Sequence, residues 1–315
     1  MSKLHRFIYL NFIFSAGIFA QSAWAPYQRQ LWVRPVATHS EYDSAYLARS
    51  FAKYDDNVRI SAGALVLEYG ITDRLTVDFS SGFGKLGRHR IFDRFGGLQQ
   101  TPESPDKYGV LDSRLGVRYK LVDEYDSKYF WMPTISVRVG GIKKGDYDRN
   151  PQSLGDGASG GEANVYFAKD FNTWGLGTLG DIGYRKRENP VPDDILYYGA
   201  LYKKFLENFF LTIGGRGQIG QGGYAYADPR QEPPFNYYNT RTPDLIPGVN
   251  LFDIWVKDER PAWGRKETFH NFEIGLGFSD SYGNFYNVFY SQTYAGYNTA
   301  KLQTVGFAAN IPFNL

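Results

Sequence analysis

The chain contains no cysteine among its 315 residues. A disulfide, a thiolate nucleophile and a cysteine metal site are therefore excluded. Histidine is scarce, at 4 residues, which leaves little material for imidazole chemistry. Long apolar runs are missing beyond residue 25, and mean hydropathy is −0.42. That excludes a bundle of membrane-spanning helices. A surplus of charge is missing as well: 35 Lys and Arg face 33 Asp and Glu. Nucleic acid is thus not an expected partner, since its readers carry a basic footprint.

What is present begins with an export pattern. Lys3, His5 and Arg6 form a basic head, residues 7–20 are mostly apolar, and Ala23-Trp24-Ala25 supplies a small-x-small cleavage pattern. The apolar run is shorter than the roughly 20 residues a spanning helix needs. The expected organisation is a signal peptide over 1–25 and one domain over 26–315. Loss of Lys3 and Arg6 would reduce the basic residues from 35 to 33, equal to the 33 acids. An exported chain without cysteine must be stabilised by sheet closure and packing.

Aromatics are abundant, with 25 Tyr, 24 Phe and 6 Trp, and so is glycine, at 35. Aromatic girdles at two lipid interfaces and glycines in a curved sheet account for both excesses. Along the chain, apolar and polar residues alternate. Leu75, Val77 and Phe79 alternate with Thr76, Asp78 and Ser80; Leu115, Val117, Tyr119 and Leu121 with Arg114, Gly116, Arg118 and Lys120. The same period recurs around Ile135, Val137 and Val139, around Phe272, Ile274 and Leu276, and from Val305 to Leu315. Period two puts each set on its own face of a strand.

Connections sort by length. Short ones are expected at 71–74, 172–174, 206–208 and 280–284, with 123–129 slightly longer. Long polar ones are expected at 39–57, 84–107, 142–161, 187–193, 221–266 and 295–302, and residues 44–54 are a candidate short helix in the first of them. Short turns on one side and long loops on the other mark a bacterial outer-membrane barrel. The expected fold class is all-β: a transmembrane antiparallel barrel of about twelve strands, an even number as closure usually requires. The termini and short turns then lie on the periplasmic side. The expected location is the outer membrane, with outer-membrane lipid and lipopolysaccharide as surroundings. The C-terminal strand, ending Phe313-Asn314-Leu315, is the segment for the outer-membrane assembly machinery.

In such a barrel the polar face turns inward. Arg114, Arg118, Lys120, Arg138, Arg185 and Arg216 are expected to line the lumen, as are Asp78, Asp112, Asp181 and Glu273. Gly116 is expected to face it too, so an arginine there should be tolerated better than at Leu115 or Val117. Charge in a wet lumen costs little, whereas an Arg on the lipid face costs ~2–4 kcal/mol at the midplane.

Four stretches resemble one family. Leu67-Glu68-Tyr69-Gly70-Ile71-Thr72-Asp73-Arg74-Leu75-Thr76-Val77 is similar to a strand–turn–strand of the outer-membrane proteins named for the meta-pathway of phenol degradation. Gly109-Val110-Leu111-Asp112 with Leu115-Gly116-Val117-Arg118-Tyr119, Ser153-Leu154-Gly155-Asp156-Gly157, and Gly296-Tyr297-Asn298-Thr299 resemble later motifs in order. Lys143-Lys144-Gly145 stands where the family has Pro-Thr-Gly, and Tyr297 where it has Arg. The resemblance implies an outer-membrane channel for small aromatic compounds.

Other chemistries compete. A lipid hydrolase needs a positioned nucleophile and base. Past the signal only His39, His89 and His270 remain; His39 and His89 fall in expected loops, and His270 opens a strand that ends at Ser279. No catalytic residue is assigned. Asp106, Asp112, Asp146, Asp148, Asp156 and Glu162 offer oxygen ligands near loops, without the spacing of a calcium motif. No metal and no cofactor is expected. The expected function is a channel or uptake porin for small solutes, aromatic or anionic. A plugged structural or adhesive barrel, or a lipid hydrolase, are the alternatives.

Overall fold

A computed structural model describes residues 23–46, 51–87, 106–129, 131–146, 158–171, 174–188, 191–222, 268–297 and 299–315. These residues form β1 (Gln30–Tyr46), β2 (Phe51–Gly70), β3 (Leu75–Leu86), β4 (Lys107–Val110), β5 (Ser113–Val122), β6 (Thr134–Lys143) and β7 (Gly160–Phe171). There follow β8 (Leu176–Arg187), β9 (Asp193–Lys204), β10 (Phe209–Gln221), β11 (Thr268–Ser279), β12 (Phe285–Tyr297), β13 (Thr299–Ala300) and β14 (Gln303–Asn314). The short β4 pairs only with β3, and β13 only with β1, as outer extensions of β5 and β14. The barrel therefore has twelve staves. Every pairing between these strands is antiparallel, and β1 closes the sheet by pairing with both β14 and β2. Closure removes the two free edges that lipid would leave unsatisfied.

The period-two pattern in the sequence is the wall of this barrel. In β5, Arg114, Gly116, Arg118 and Lys120 are buried inside while Leu115 is 59% exposed on the outside. The outer face carries Leu65, Phe79, Val139, Ile182, Leu201 and Phe307, among others. At the short-turn end it is edged by aromatics: Phe205, Phe209, Phe278 and Tyr286 form a chain of ring contacts, and Tyr129 packs on Trp131. Near the opposite end Phe83 stacks on Tyr108. A lipid-facing apolar belt between aromatic edges marks an outer-membrane protein.

Local chemistry closes the short turns. Thr72 Oγ1 accepts from the amides of Arg74 (3.2 Å) and Leu75 (2.9 Å). Asp280 Oδ1 accepts from the amides of Tyr282 and Asn284, both at 2.9 Å, and Gly283 takes a φ of 84°. The C-terminus joins this end, where the amide of Leu315 donates to Arg29 O at 2.9 Å.

Two expectations about the first outer connection are corrected. Residues 44–46 and 51–54 are strand, not helix, and the 39–57 loop shrinks because β1 and β2 run on as one ladder. Backbone pairing above the lipid needs no apolar face, so polarity hid the strands. His39 accordingly sits in β1, exposed, within 2.9 Å of Ser61 Oγ and 3.3 Å of Glu41 Oε1. The expected long connections at 84–107, 142–161 and 221–266 fall largely outside the described residues, as do His89, Asp148, Asp156 and the 153–157 motif.

Candidate functional site

Strands β1 to β8 build a charged wall. Glu68 on β2 accepts from Arg34 on β1 and lies 3.0 Å from Arg118 Nη2 on β5. Arg138 on β6 reaches across β5 to Asp78 on β3, with Nε–Oδ2 at 2.9 Å and Nη2–Oδ1 at 2.7 Å, and also donates to Glu162 on β7. Glu162 is shared further with Arg114 (3.5 Å) and Arg185 (3.4 Å). Arg118 is 0% exposed. Charges this deep persist only when paired, because desolvation costs several kcal/mol per ion.

Glycine makes the reach of Arg138 geometrically available. Gly116 and Gly140 are direct cross-strand partners in β5 and β6. The guanidinium passes over them on its way to Asp78, and it occupies the space a side chain at 116 would need. The lumen glycines are therefore clearance for arginine as well as relief for curvature.

The expected lumen residues are placed as follows. Arg114, Arg118, Arg138, Arg185 and Asp78 meet in the charged wall. Lys120 is inside but turns to Asp123 at 2.7 Å, with its Nζ 5.6 Å from the Tyr27 ring. Asp112 lies between β4 and β5 and accepts from the amide of Gly145 at 2.9 Å, away from that wall. Asp181 faces inward on β8, with Tyr166 and Tyr198 as its cross-strand neighbours. Glu273 accepts from the Tyr198 hydroxyl at 3.4 Å. Arg216 stands apart on β10.

Arg34 and Glu68 were not among the expected lumen residues. Arg34 shares a face with Trp32 in a strand of mixed polarity, and Glu68 alternates with Leu67 and Tyr69, so parity alone marks both. Glu162, expected as an acid in or near a loop, instead sits on β7 and is shared by three arginines. Asp106 pairs with Lys85 at 2.8 Å, and Asp146 Oδ2 accepts from the amide of Val110 at 2.8 Å.

The periplasmic half of the lumen is packed with rings. Trp32, Tyr166, Tyr198, Tyr202, Phe210 and Phe285 cluster there, joined by Ala23 and Trp24 from the segment before β1. Ser136 Oγ donates to Ala23 O at 2.7 Å, and Trp24 Nε1 donates to Glu124 Oε1 at 2.9 Å. Burial pushes the Glu124 carboxyl upward, against hydrogen bonds from the Asp170 amide, Trp24 and Lys169.

The outer half differs. Between β10, β11, β12, β14 and β1 opens a cavity of about 170 Å3. Arg216 and Asn271 line one side, Thr38, Ser40 and Thr304 the other. Phe269 lies toward the outer end and Phe289 toward the periplasmic end.

Among the described residues His270 and Ser279 are not brought together. His270 is on the outward parity of β11 beside Tyr197, and Ser279 is buried inward at the far end.

No family model and no curated protein matches the chain. Among solved structures, an outer membrane channel from Pseudomonas putida F1 superposes with a TM-score of 0.59 at 17% identity, covering 91% of this chain and 96% of that one. The NanC porin gives a TM-score of 0.42 at 10% identity, covering 89% and 100%. The TodX monoaromatic hydrocarbon channel, in a deletion variant, gives 0.42 at 9%, covering 93% and 92%. The first of these establishes a shared fold: this chain is an outer-membrane β-barrel.

Proposed function

We propose that the protein is an outer-membrane channel for uptake of small solutes. The observation that carries this is the division of the lumen: a cavity walled by Arg216, hydroxyl side chains and two phenylalanines sits above an aromatic constriction inside a closed barrel. The likeness in fold to an outer-membrane channel supports it. Membership of the phenol meta-pathway family is part of the proposal, supported by motifs that fall on β2–turn–β3, on β4–β5 and at the end of β12. Small aromatic compounds are the solute class this implies. The lumen arginines and acids named above are its proposed walls, and the C-terminal strand its proposed contact with the assembly machinery.

Residues 1–25 are proposed as the export signal. Cleavage after Ala25 would remove Ala23 and Trp24 from the periplasmic constriction and free Ser136 and Glu124 of those contacts. N-terminal sequencing of protein from outer membranes tests this: Pro26 as first residue supports the boundary, and a start before Ala23 keeps Trp24 in the lumen.

A second reading, a plugged barrel, is favoured by the ring cluster filling the periplasmic half. Planar-bilayer recording separates the two. Discrete conductance steps support the channel; their absence at high protein loading supports the plug.

A further inference from the structure

Most lumen arginines have their counter-charges within the barrel. Arg216 is different. Among the described residues it makes no ion pair, although the Glu273 carboxylate, diagonal to it on β11, feels its charge at longer range, and its buried Nε has no hydrogen-bond partner. The amide oxygen of Asn271, its direct neighbour across β10 and β11, also lacks one. An unpaired guanidinium in a half-buried, low-dielectric wall is unfavourable unless an anion or water completes it. The cavity of about 170 Å3 opens beside it. A cavity of about 150 Å3 suffices for benzene.

We propose that this cavity is a binding site for a small carboxylate with a single flat apolar ring. The proposal rests on the channel reading and deepens it by naming the solute class and the site. Arg216 offers the planar fork that matches a carboxylate. Hydroxyls of Thr38, Ser40 and Thr304 stand across from it and donate to the same oxygens. Ser40 and Thr304 already touch at 2.8 Å, so one of the two hydroxyl protons is free to turn to a ligand. Phe269 and Phe289 line the cavity above and below along the barrel axis and supply apolar surface.

Glu273 is one alternation step from Asn271 on the inner face of β11, toward the periplasm. Its carboxylate opposes an anion in the cavity, and its Oε2 is buried without a hydrogen-bond partner. It sets the depth at which the carboxylate stops: beside Arg216, above Glu273. A ring amine is disfavoured by Arg216, and an uncharged ring alcohol gains nothing from its charge.

The test uses the protein purified from outer membranes in detergent, with benzoate as probe and benzyl alcohol and benzylamine as comparators, read by titration calorimetry. Benzoate is expected to bind more tightly than either comparator. Arg216→Gln should weaken benzoate by about tenfold or more, the scale of a lost charge-assisted pair, and leave benzyl alcohol unchanged. Arg216→Lys keeps the charge without the fork and should fall between. Glu273→Gln should tighten benzoate. Lys186→Gln, on the outer face of β8, should change nothing. Each variant is first checked for the gel shift of a folded barrel on heating. Benzoate affinity unchanged in folded Arg216→Gln, or benzylamine binding as well as benzoate, overturns the site. Bilayer recordings on the same preparations keep the two proposals separable. Conductance without Arg216-dependent benzoate binding retains the channel and rejects the site. Binding without conductance retains the site and rejects the channel.

Discussion

The guanidinium of Arg138 lies against the inner face of Gly116, where a Cβ would sit 2.5 Å from Nη2 and 2.7 Å from Cζ. Position 116 faces the lumen, as alternation implies, but the space in front of it is taken. The face is the expected one; whether an arginine at 116 is tolerated better than at Leu115 or Val117 turns on the far end of the Arg138 side chain moving aside.

Even Gly116→Ala should be costly. Displacing Arg138 disturbs its bonds to Asp78 and Glu162, and overpacking of this kind costs about 1–3 kcal/mol. Gly199→Ala is the control, because nothing lies within 4 Å of a Cβ there. Urea unfolding in micelles should show a lowered midpoint for the first and none for the second. Equal midpoints would mean that Arg138 yields without cost.

Arg138→Gln should be among the most destabilising lumen changes. It leaves the buried carboxylates of Asp78 and Glu162 short of a partner. Breaking a buried pair from one side costs about 3–5 kcal/mol. Arg216→Gln breaks no ion pair, removes only a longer-range attraction to Glu273, and should move the same midpoint less. If the two variants unfold alike, the charged wall is not a structural element.

On the outside the sign reverses. Val139 is 63% exposed to the lipid side and Leu115 59%. Val139→Arg and Leu115→Arg should each cost ~2–4 kcal/mol near the midplane. Outer-membrane levels and the heat-dependent gel shift measure it. Normal amounts of heat-shifting barrel for both would contradict the assigned face.

The β11–β12 turn should weaken in acid. Burial alone would raise the Asp280 carboxyl, but hydrogen bonds from Asn284, side chain and backbone, and from the Tyr282 amide outweigh it and hold the group below its usual range. A depressed folded value means stability that is present above the unfolded value and lost as pH falls through the folded one. Amide exchange at Tyr282 and Asn284 should accelerate, beyond its intrinsic pH dependence, as pH drops through and below the ordinary carboxylate range. Asp280→Asn should remove that pH dependence. Acid protection equal to that at neutral pH would refute the assignment.

The same contrasts show how far the sequence reaches. The inward parity of Arg114, Arg118, Arg138 and Arg216 was legible, because period two in a half-buried strand assigns faces without any partner. So were the turns at 71–74, 206–208 and 280–284, whose closing bonds lie within a few residues. The extension of β1 and β2 beyond the lipid was not, since there the ladder is held by backbone bonds that side-chain polarity does not reveal.

The sequence by itself determined which side chains face lipid and which face the lumen, because that depends on one strand at a time. It also determined that the sheet must close, since no other all-β arrangement satisfies its edges in a membrane. Only the tertiary structure decided which charges meet. Arg138 finds Asp78 across an intervening strand, 60 residues away in the chain, through clearance left by Gly116 and Gly140. Arg216, of the same parity and chemistry, is left facing a cavity. That difference depends on register around a closed barrel, and register is a property of the whole ring of strands, not of any one of them.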